Sequence, residues 1–207
     1  MQPKNCIKKK IEVEEADKTF VFDDSDFVRP DPDARPANLF LAGLRGCGKS
    51  ALGRLVAERT GMEFVDTDLL VEEKAGKSIA EIVRDSGWEA FRDLESQALA
   101  EVCARTGQIV ATGGGMVLRP HNRKLLRECG KTLYLMADVP VLLARLTADP
   151  DPARRPALSD GSLADELRRC LAEREPLYME IMAGLLQAHK PLDELVEDVL
   201  ERLPLLA

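Results

Sequence analysis

From residue 37 onward, short runs of apolar residues alternate with longer stretches in which apolar residues recur every three or four positions. The short runs are typical of buried strands, and the longer spacing is typical of helices with one buried face. This alternation predicts an α/β domain in which helices cover both faces of a parallel sheet, giving three layers. The five predicted strands are 38–42, 64–66, 108–111, 132–136 and 185–188.

Local signals mark where several helices begin. Ser78 and Glu81 have the spacing of a capping box, which predicts a short helix after residue 78. Ser162, with an acidic residue three positions later, predicts the start of another helix. Pro191 suits the first turn of the last helix. One further predicted helix follows Ser50 and ends near Gly61. Three others span 88–106, 119–129 and 139–146, and the last helix spans 191–203.

Residues 1–36 differ in composition from the rest of the chain. They contain seven basic and nine acidic residues, and three prolines close the segment. This mixture predicts a solvated extension, flexible or with a small hairpin, that ends in a stiff linker. We therefore divide the chain into an extension, 1–36, and one domain, 37–207, and we assign the extension no chemistry.

Composition limits the possible partners. The chain has 207 residues, of which 45% are hydrophobic, and its net charge is −7. Nucleic acids are bound by basic patches, so this acidic balance argues against nucleic acid as the main partner. Apolar runs fall short of the about 18 residues of a membrane span, and the cysteines lack the spacing of a metal site. We expect a cytoplasmic protein with reduced cysteines and no membrane partner.

The segment GLRGCGKS, residues 43–50, follows the first predicted strand and precedes a predicted helix. In a phosphate-binding loop of this form, glycines let backbone N–H groups surround phosphate oxygens, and the helix N-terminus adds positive potential. Lys49 would reach the outer phosphates, and the Ser50 hydroxyl would face Mg²⁺. Cys47 is interpreted as a small residue that contributes its N–H, with a reactive thiol as the alternative. The nucleotide-binding candidates are Gly43, Gly46, Cys47, Gly48, Lys49, Ser50 and Ala51.

Two further motifs follow predicted strands directly. Asp66 and Asp68 come after the second strand, and glycines 113–115 come after the third. Ligands bind at the carboxyl ends of parallel strands, and glycine lets the backbone approach a ligand closely. The alternatives are helix caps for the aspartates and a flexible turn for the glycines. Elsewhere, residues 148–156 combine three prolines with two arginines, which predicts an exposed, mobile loop.

Together these motifs resemble those of the shikimate kinases over residues 37–203. The matching segments are GLRGCGKS, Asp66-Thr67-Asp68, Phe91-Arg92, Thr112-Gly113-Gly114-Gly115, Arg155-Pro156 and Arg174-Glu175-Pro176-Leu177-Tyr178. The resemblance implies a phosphate-loop kinase with the nucleoside monophosphate kinase fold, a five-stranded parallel sheet and a mobile lid. It also implies that a monomer, with Mg²⁺ as cofactor, transfers the γ-phosphoryl group of ATP to the 3-hydroxyl of shikimate.

The resemblance implies roles for the residues that act on the phosphoryl group. Phosphoryl transfer depends on positioning and charge neutralisation, so cations must surround the moving group and a carboxylate must orient the attacking hydroxyl. Lys49 and Arg155 would supply the cations. Asp68 would hold the 3-hydroxyl and accept its proton, while Asp66 would help to bind Mg²⁺ together with Ser50.

Recognition of shikimate requires partners for one carboxylate and three hydroxyls. Arginines suit the carboxylate, and backbone N–H groups suit hydroxyls. The family pattern implies Arg92 and Arg174 for the carboxylate, glycines 113–115 for the hydroxyls, and Arg145 as a residue that stacks on adenine. Without the motif, Arg92 and Arg174 would be interpreted as members of surface ion pairs on acidic helices.

Two other functions stay open at this point. Another small-molecule kinase, such as a gluconate kinase, would share the phosphate loop but would not need an arginine pair. A non-catalytic nucleotide-binding module would be expected to lack Lys49, Asp68 or Arg155, and all three are present.

Overall fold

The computed structural model describes residues 37–148 and 162–206. The extension at 1–36 and most of the predicted lid, including Arg155, lie outside the described residues. Within the described ranges, no helix has both the length and the apolar character that crossing a membrane requires.

Five strands form one parallel sheet, as the alternating pattern predicts. They are β1 (Asn38–Ala42), β2 (Glu63–Asp66), β3 (Gln108–Ala111), β4 (Gly130–Met136) and β5 (Gly184–Gln187). Their order in the sheet is β2-β3-β1-β4-β5, and every neighbouring pair is parallel. β1 is therefore central, and it is buried along its whole length.

Seven α-helices flank the sheet in the described part of the chain. They are α1 (Lys49–Thr60), α2 (Thr67–Ala75), α3 (Ile79–Cys103), α4 (Pro120–Glu128), α5 (Val139–Ala148), α6 (Leu163–Ile181) and α7 (Leu192–Leu206). A short 3₁₀ helix, Met116–Leu118, precedes α4. α1 packs on β3 and against α7, whereas α4 packs on β4.

The core lies between the sheet and these helices. Phe40 and Leu41 of β1 are buried completely, as is Leu52 of α1. A parallel sheet covered on both faces is apolar on both faces, which explains why its strands appear as continuous apolar runs. α1 packs one face on this core, since Val56 is buried and Leu55 is half-buried against it.

α3 consists of two helical segments that meet at a kink, as the sequence pattern predicts. The predicted capping box at Ser78 is present, and the first segment ends at Gly87, whose backbone angles are not helical (φ 80°, ψ 171°). The second predicted helix therefore begins directly after this interruption. It ends at Cys103 rather than at Thr106 because the chain turns at Gly107 (φ 77°) into β3.

Other boundaries shift by a few residues for reasons that involve neighbouring elements. β4 begins at Gly130, before the predicted position, because Gly130 pairs with Asn38 of β1. α7 continues to Leu206, past the predicted end, with Pro204 in its last turns. A proline there removes one helix hydrogen bond without redirecting the chain.

Candidate active site

A cavity of about 630 Å³ opens where β1, β2 and β3 end. Because the carboxyl ends of parallel strands meet at one edge of a sheet, the segments that follow these strands are brought together there. Gly43, Cys47 and Gly113 are next to lining residues in the sequence but do not line the cavity. The candidates that do line it are Gly46, Gly48, Lys49, Ser50, Ala51, Asp66, Asp68, Arg92, Gly114, Gly115, Arg145 and Arg174.

The loop between β1 and α1 has the backbone of a phosphate-binding loop. Gly43, Gly46 and Gly48 have φ values of 146°, 82° and 102°, which side chains disfavour. A Cβ atom on Gly43 would also lie 2.7 Å from the carbonyl oxygen of Leu135. Gly48 is the N-cap residue of α1, so the positive end of that helix lies at the loop.

The Lys49 ammonium group lies inside this loop. Lys49 Nζ donates hydrogen bonds of 2.9 Å to the carbonyl oxygens of Gly43 and Leu44 and contacts Cys47 Sγ at 3.6 Å. The Cys47 side chain is buried, as expected of a small residue that fills space. The loop therefore holds a cation at its centre, where anionic oxygens would be attracted.

Ser50 and Asp66 are hydrogen-bonded to each other at the end of β2. Ser50 Oγ donates to Asp66 Oδ2 over 2.6 Å. Asp66 Oδ1 accepts from the backbone N–H groups of Asp68 and Leu69, so Asp66 also caps α2. Asp66 therefore uses one carboxylate oxygen to cap α2 and the other to accept the hydrogen bond from Ser50.

Asp68 carries a carboxylate whose Oδ1 atom is shielded from solvent and accepts no hydrogen bond within the described ranges. Burial, together with the negative charges of Glu95 and Asp66, raises the pKa of Asp68 to about 7. Lys49 and Arg92 oppose this shift without cancelling it. The side chain is therefore poised to gain or lose a proton near neutral pH.

Arg92 is held among buried groups of α3. Its guanidinium forms an ion pair with Glu95 and lies over the rings of Trp88 and Phe91, with 5.4 Å and 5.1 Å from Arg92 Cζ to the ring centroids. A Cβ atom on Gly115 would overlap this guanidinium. The Arg92 side chain is thus fixed from several sides at the cavity wall.

Glu95 is a site residue that the sequence analysis did not single out. It is 1% exposed, and burial raises its pKa while Arg92 lowers it. The signal was present, since a glutamate three residues after an arginine on a helix can pair with it. That spacing is common on exposed helices, so it could not reveal that this pair is buried.

Arg174 and Tyr178, one helical turn apart on α6, both contact the glycine run. Arg174 Nη1 donates to the carbonyl oxygen of Gly114 over 3.3 Å, and the Tyr178 hydroxyl donates to the same oxygen over 2.6 Å. Tyr178 is fully buried and stacks on Tyr134 with 4.9 Å between ring centroids. Arg174 lines the cavity, whereas Tyr178 supports the wall from behind.

Arg145, near the end of α5, connects two segments by hydrogen bonds. Its guanidinium donates to the carbonyl oxygens of Gly46 and Cys47 in the phosphate loop, at 3.5 Å and 3.2 Å. It also donates to Ala188 O, just after β5, over 2.7 Å. Arg145 therefore braces the phosphate loop, a role that the sequence pattern did not predict.

Known proteins are similar to this chain in sequence and in fold. The family model described as shikimate kinase matches residues 45–204. The shikimate kinase of Nitratidesulfovibrio vulgaris is 47% identical over 161 residues, covering 78% of this chain and 92% of that protein. Shikimate kinase 2 of Yersinia enterocolitica is 43% identical over 162 residues, with 78% and 92% covered. The structure of Acinetobacter baumannii shikimate kinase in complex with shikimate has a TM-score of 0.76 at 33% identity, covering 82% of this chain and 93% of that chain.

These similarities agree with the motifs and extend over nearly the whole of the folded domain. The family match begins within the phosphate loop and ends in α7, so it includes the elements that build the cavity. The resemblance noted from the sequence and the predicted phosphate-loop kinase fold are both confirmed. The chain therefore belongs to the shikimate kinase family of enzymes.

Proposed function

We propose that this enzyme transfers the γ-phosphoryl group of ATP to the 3-hydroxyl of shikimate, giving ADP and shikimate 3-phosphate, a step of the chorismate pathway. The position of Asp68 carries the proposal. Its carboxylate, with a pKa near neutrality, lines the same cavity as the phosphate loop and as Arg92 and Arg174. That cavity suits an acceptor that carries both a hydroxyl and a carboxylate, and the A. baumannii relative has been crystallised with shikimate.

The phosphate loop would bind the ATP phosphates through its backbone N–H groups and the N-terminus of α1. Lys49 Nζ, which two loop carbonyls hold in place, is the cation best placed for the β- and γ-phosphates. The family pattern assigns a second cation to Arg155. Arg145, already bound to the loop, lines the cavity and would contact the adenine.

The residues at the end of β2 fit Mg²⁺. This ion prefers oxygen ligands and is usually held by one or two carboxylates together with substrate phosphates and water. The hydrogen bond of 2.6 Å between Ser50 Oγ and Asp66 Oδ2 places two such oxygens next to each other and beside the phosphate loop. Bound there, Mg²⁺ would neutralise phosphate charge.

Asp68 would act on the attacking hydroxyl. In the transfer step, the 3-hydroxyl oxygen of shikimate bonds to the γ-phosphorus while its proton passes to Asp68, and the bond from the γ-phosphorus to the β–γ bridging oxygen breaks. The electron pair of that bond leaves with ADP. A base with a pKa near the working pH suits this role.

Arg92 and Arg174 would bind the shikimate carboxylate through charge-assisted hydrogen bonds. Glu95 would hold Arg92 in position, since the two side chains form a buried ion pair. Gly113, Gly114 and Gly115 would allow the hydroxyl groups of shikimate to approach the backbone.

The test is an assay of ADP release with Mg²⁺–ATP and, in turn, shikimate, quinate and gluconate. Of the three acceptors, we expect only shikimate to give rapid turnover. Phosphorus NMR of the product should locate the phosphate on the 3-hydroxyl. Turnover with gluconate but not shikimate would favour the alternative small-molecule kinase. Nucleotide binding without any turnover would favour a non-catalytic module.

We propose that the enzyme is a monomer. We also propose that it acts in the cytoplasm, where ATP is available. Sedimentation equilibrium of the full chain, with and without substrates, should give the mass of a single chain of 22.9 kDa.

A further inference from the structure

Arg45, in the phosphate loop, forms an ion pair with Glu166, in the first turn of α6. The Arg45 side chain is 21% exposed and lines the cavity, whereas the Glu166 side chain is 3% exposed. The two residues are 121 positions apart in the sequence. The pair therefore connects two distant segments of the chain at the edge of the cavity.

The helix that carries Glu166 also carries a proposed shikimate-binding residue. Glu166, Cys170, Arg174 and Tyr178 recur every four positions along α6, and all four are buried. Residues at this spacing lie on one face of a helix. Glu166 is thus about two turns from Arg174 on the same face, and α6 reaches the phosphate loop at one position and the glycine run at another.

A buried carboxylate at this position needs an explanation. The cavity would bind the phosphates of ATP and the carboxylate of shikimate, and an additional negative charge beside it would repel both. Buried ion pairs contribute little to net stability, because the cost of removing both ions from water offsets their attraction. The location of the pair, at the junction of two proposed substrate sites, is more informative than its strength.

We infer that the Arg45–Glu166 ion pair couples nucleotide binding to shikimate binding. The pair joins the phosphate loop to α6, so a nucleotide that orders the loop also orders the helix that carries Arg174. Shikimate then binds to a site whose ordering is already complete, which gives positive coupling. Arg45 and Glu166 are positioning residues in this scheme, and the inference rests on the proposed function of the site.

The coupling is measured by isothermal titration calorimetry on the full chain, as the ratio of the shikimate Kd without ADP to the Kd with saturating ADP. Thermodynamic linkage requires the same ratio for ADP, with and without shikimate. We expect a ratio of at least about fivefold for the wild type, in the usual range of such couplings. Without the link, two anions in one cavity only repel each other, so Glu166→Gln and Arg45→Met should each bring the ratio to one or below.

The control is Glu180→Gln, the same substitution at another position of α6. Glu180 pairs with Arg123 and Arg127 of α4, away from the cavity, so this variant should keep the wild-type ratio. The double variant Arg45→Met/Glu166→Gln should lose less coupling than the sum of the two single losses, because the ion pair between the two residues is broken in all three variants. If Arg45→Met or Glu166→Gln does not fold, Arg45→Lys, which keeps the charge but shortens the side chain, should give a reduced ratio.

Three results would overturn the inference. The first is a ratio near one in the wild-type protein, and the second is a ratio in Glu166→Gln or in Arg45→Lys that equals the wild-type value. The third is a double variant whose loss of coupling is the sum of the losses in the single variants. A wild-type protein that does not bind shikimate with or without ADP would instead contradict the proposed function. The two failures are therefore distinguishable in one set of titrations.

Discussion

Single residues of the cavity acquire their chemistry from their surroundings as well as from their type. An aspartate in water has a pKa of about 3.9, so at neutral pH it would be a weak base. Burial and two neighbouring carboxylates raise the pKa of Asp68 to about 7. At that value the carboxylate is present at neutral pH and still binds a proton well, which is the compromise that general-base catalysis requires.

Replacing Asp68 with asparagine tests its role in the chemical step. Asp68→Asn keeps the size of the side chain but cannot accept a proton from the attacking hydroxyl. We expect the kcat to fall by about 10²- to 10⁴-fold, while the KM values change little. Asp93→Asn, at an exposed carboxylate of α3 that pairs with Arg119 and does not line the cavity, is the control and should keep the wild-type kcat. A kcat for Asp68→Asn close to the wild-type value would exclude Asp68 as the base.

The raised pKa of Asp68 also predicts two opposite pH dependences. Activity should rise as the pH increases through about 7, because the carboxylate form is the base. The free energy of unfolding should fall as the pH rises from about 4 to about 7, because in this range the folded state binds more protons than the unfolded state. Both effects should disappear in Asp68→Asn. The Tm of Asp68→Asn minus the Tm of the wild type should therefore increase as the pH rises through this range. Thermal unfolding of the ligand-free proteins at several pH values measures this, and a pH-independent difference would contradict it.

Arg92 tests recognition of the acid rather than chemistry. Arg92→Ala removes a charged partner from a carboxylate that lies away from the reacting hydroxyl, so the KM for shikimate should rise while that for ATP stays nearly fixed. A charge-assisted hydrogen bond contributes about 1.5 to 3 kcal/mol, or on the order of 10- to 150-fold in KM. Arg84→Ala, at an exposed position of α3, should change neither KM. Equal changes in both KM values would indicate general disruption of the cavity.

Most residues of the cavity could be identified from the sequence because they belong to contiguous motifs. Lys49, Asp68 and Arg92 were each marked by their immediate neighbours in the chain. Glu95 and Glu166 were not, because their importance depends on burial and on a partner, and for Glu166 that partner is far away in the sequence. Local patterns do not contain that information.

Elements were predicted well where a single local cause determines them. The inner strands β1 and β3 are buried throughout and therefore appear as apolar runs, and α1 ends at Gly61, which adopts a left-handed conformation (φ 71°). The kink in α3 was predicted as the boundary between two helices, and the second of them begins directly after Gly87, whose backbone angles are not helical. The order of the strands in the sheet, β2-β3-β1-β4-β5, depends on the paths of the connections between them, so the alternation of apolar runs did not predict it.

The turn after β3 gives a prediction at the level of elements. Gly115 has an ordinary φ of −96°, so its requirement for glycine comes from space: a Cβ atom would overlap the Arg92 guanidinium. Gly115→Ala should displace Arg92 and raise the KM for shikimate by about tenfold, with a smaller effect on ATP. In an Arg92→Ala background the same change should have little further effect, because the overlap is gone. Additive effects of the two substitutions would show that Gly115 acts through another contact.

At the scale of the whole molecule, we propose that residues 37–207 form the domain that contains the site and that residues 1–36 are an extension. The family match covers residues 45–204, and the candidate residues run from Gly43 to Arg174. The extension at 1–36 has mixed charge and carries no motif associated with phosphoryl transfer. Its composition predicts that folding and catalysis depend on the domain alone.

A chain that starts at Arg35 tests this division. It keeps β1, whose burial the core requires, and every candidate residue, so its kcat and both KM values should stay within about twofold of those of the full chain. Thermal unfolding of both chains shows whether the shortened one is folded, and its Tm should be nearly unchanged. If the shortened chain is folded but loses more than about tenfold in kcat, roughly 1.4 kcal/mol in the barrier, then the extension contributes to the site. An increase in KM for only one substrate would identify the half of the cavity that the extension reaches.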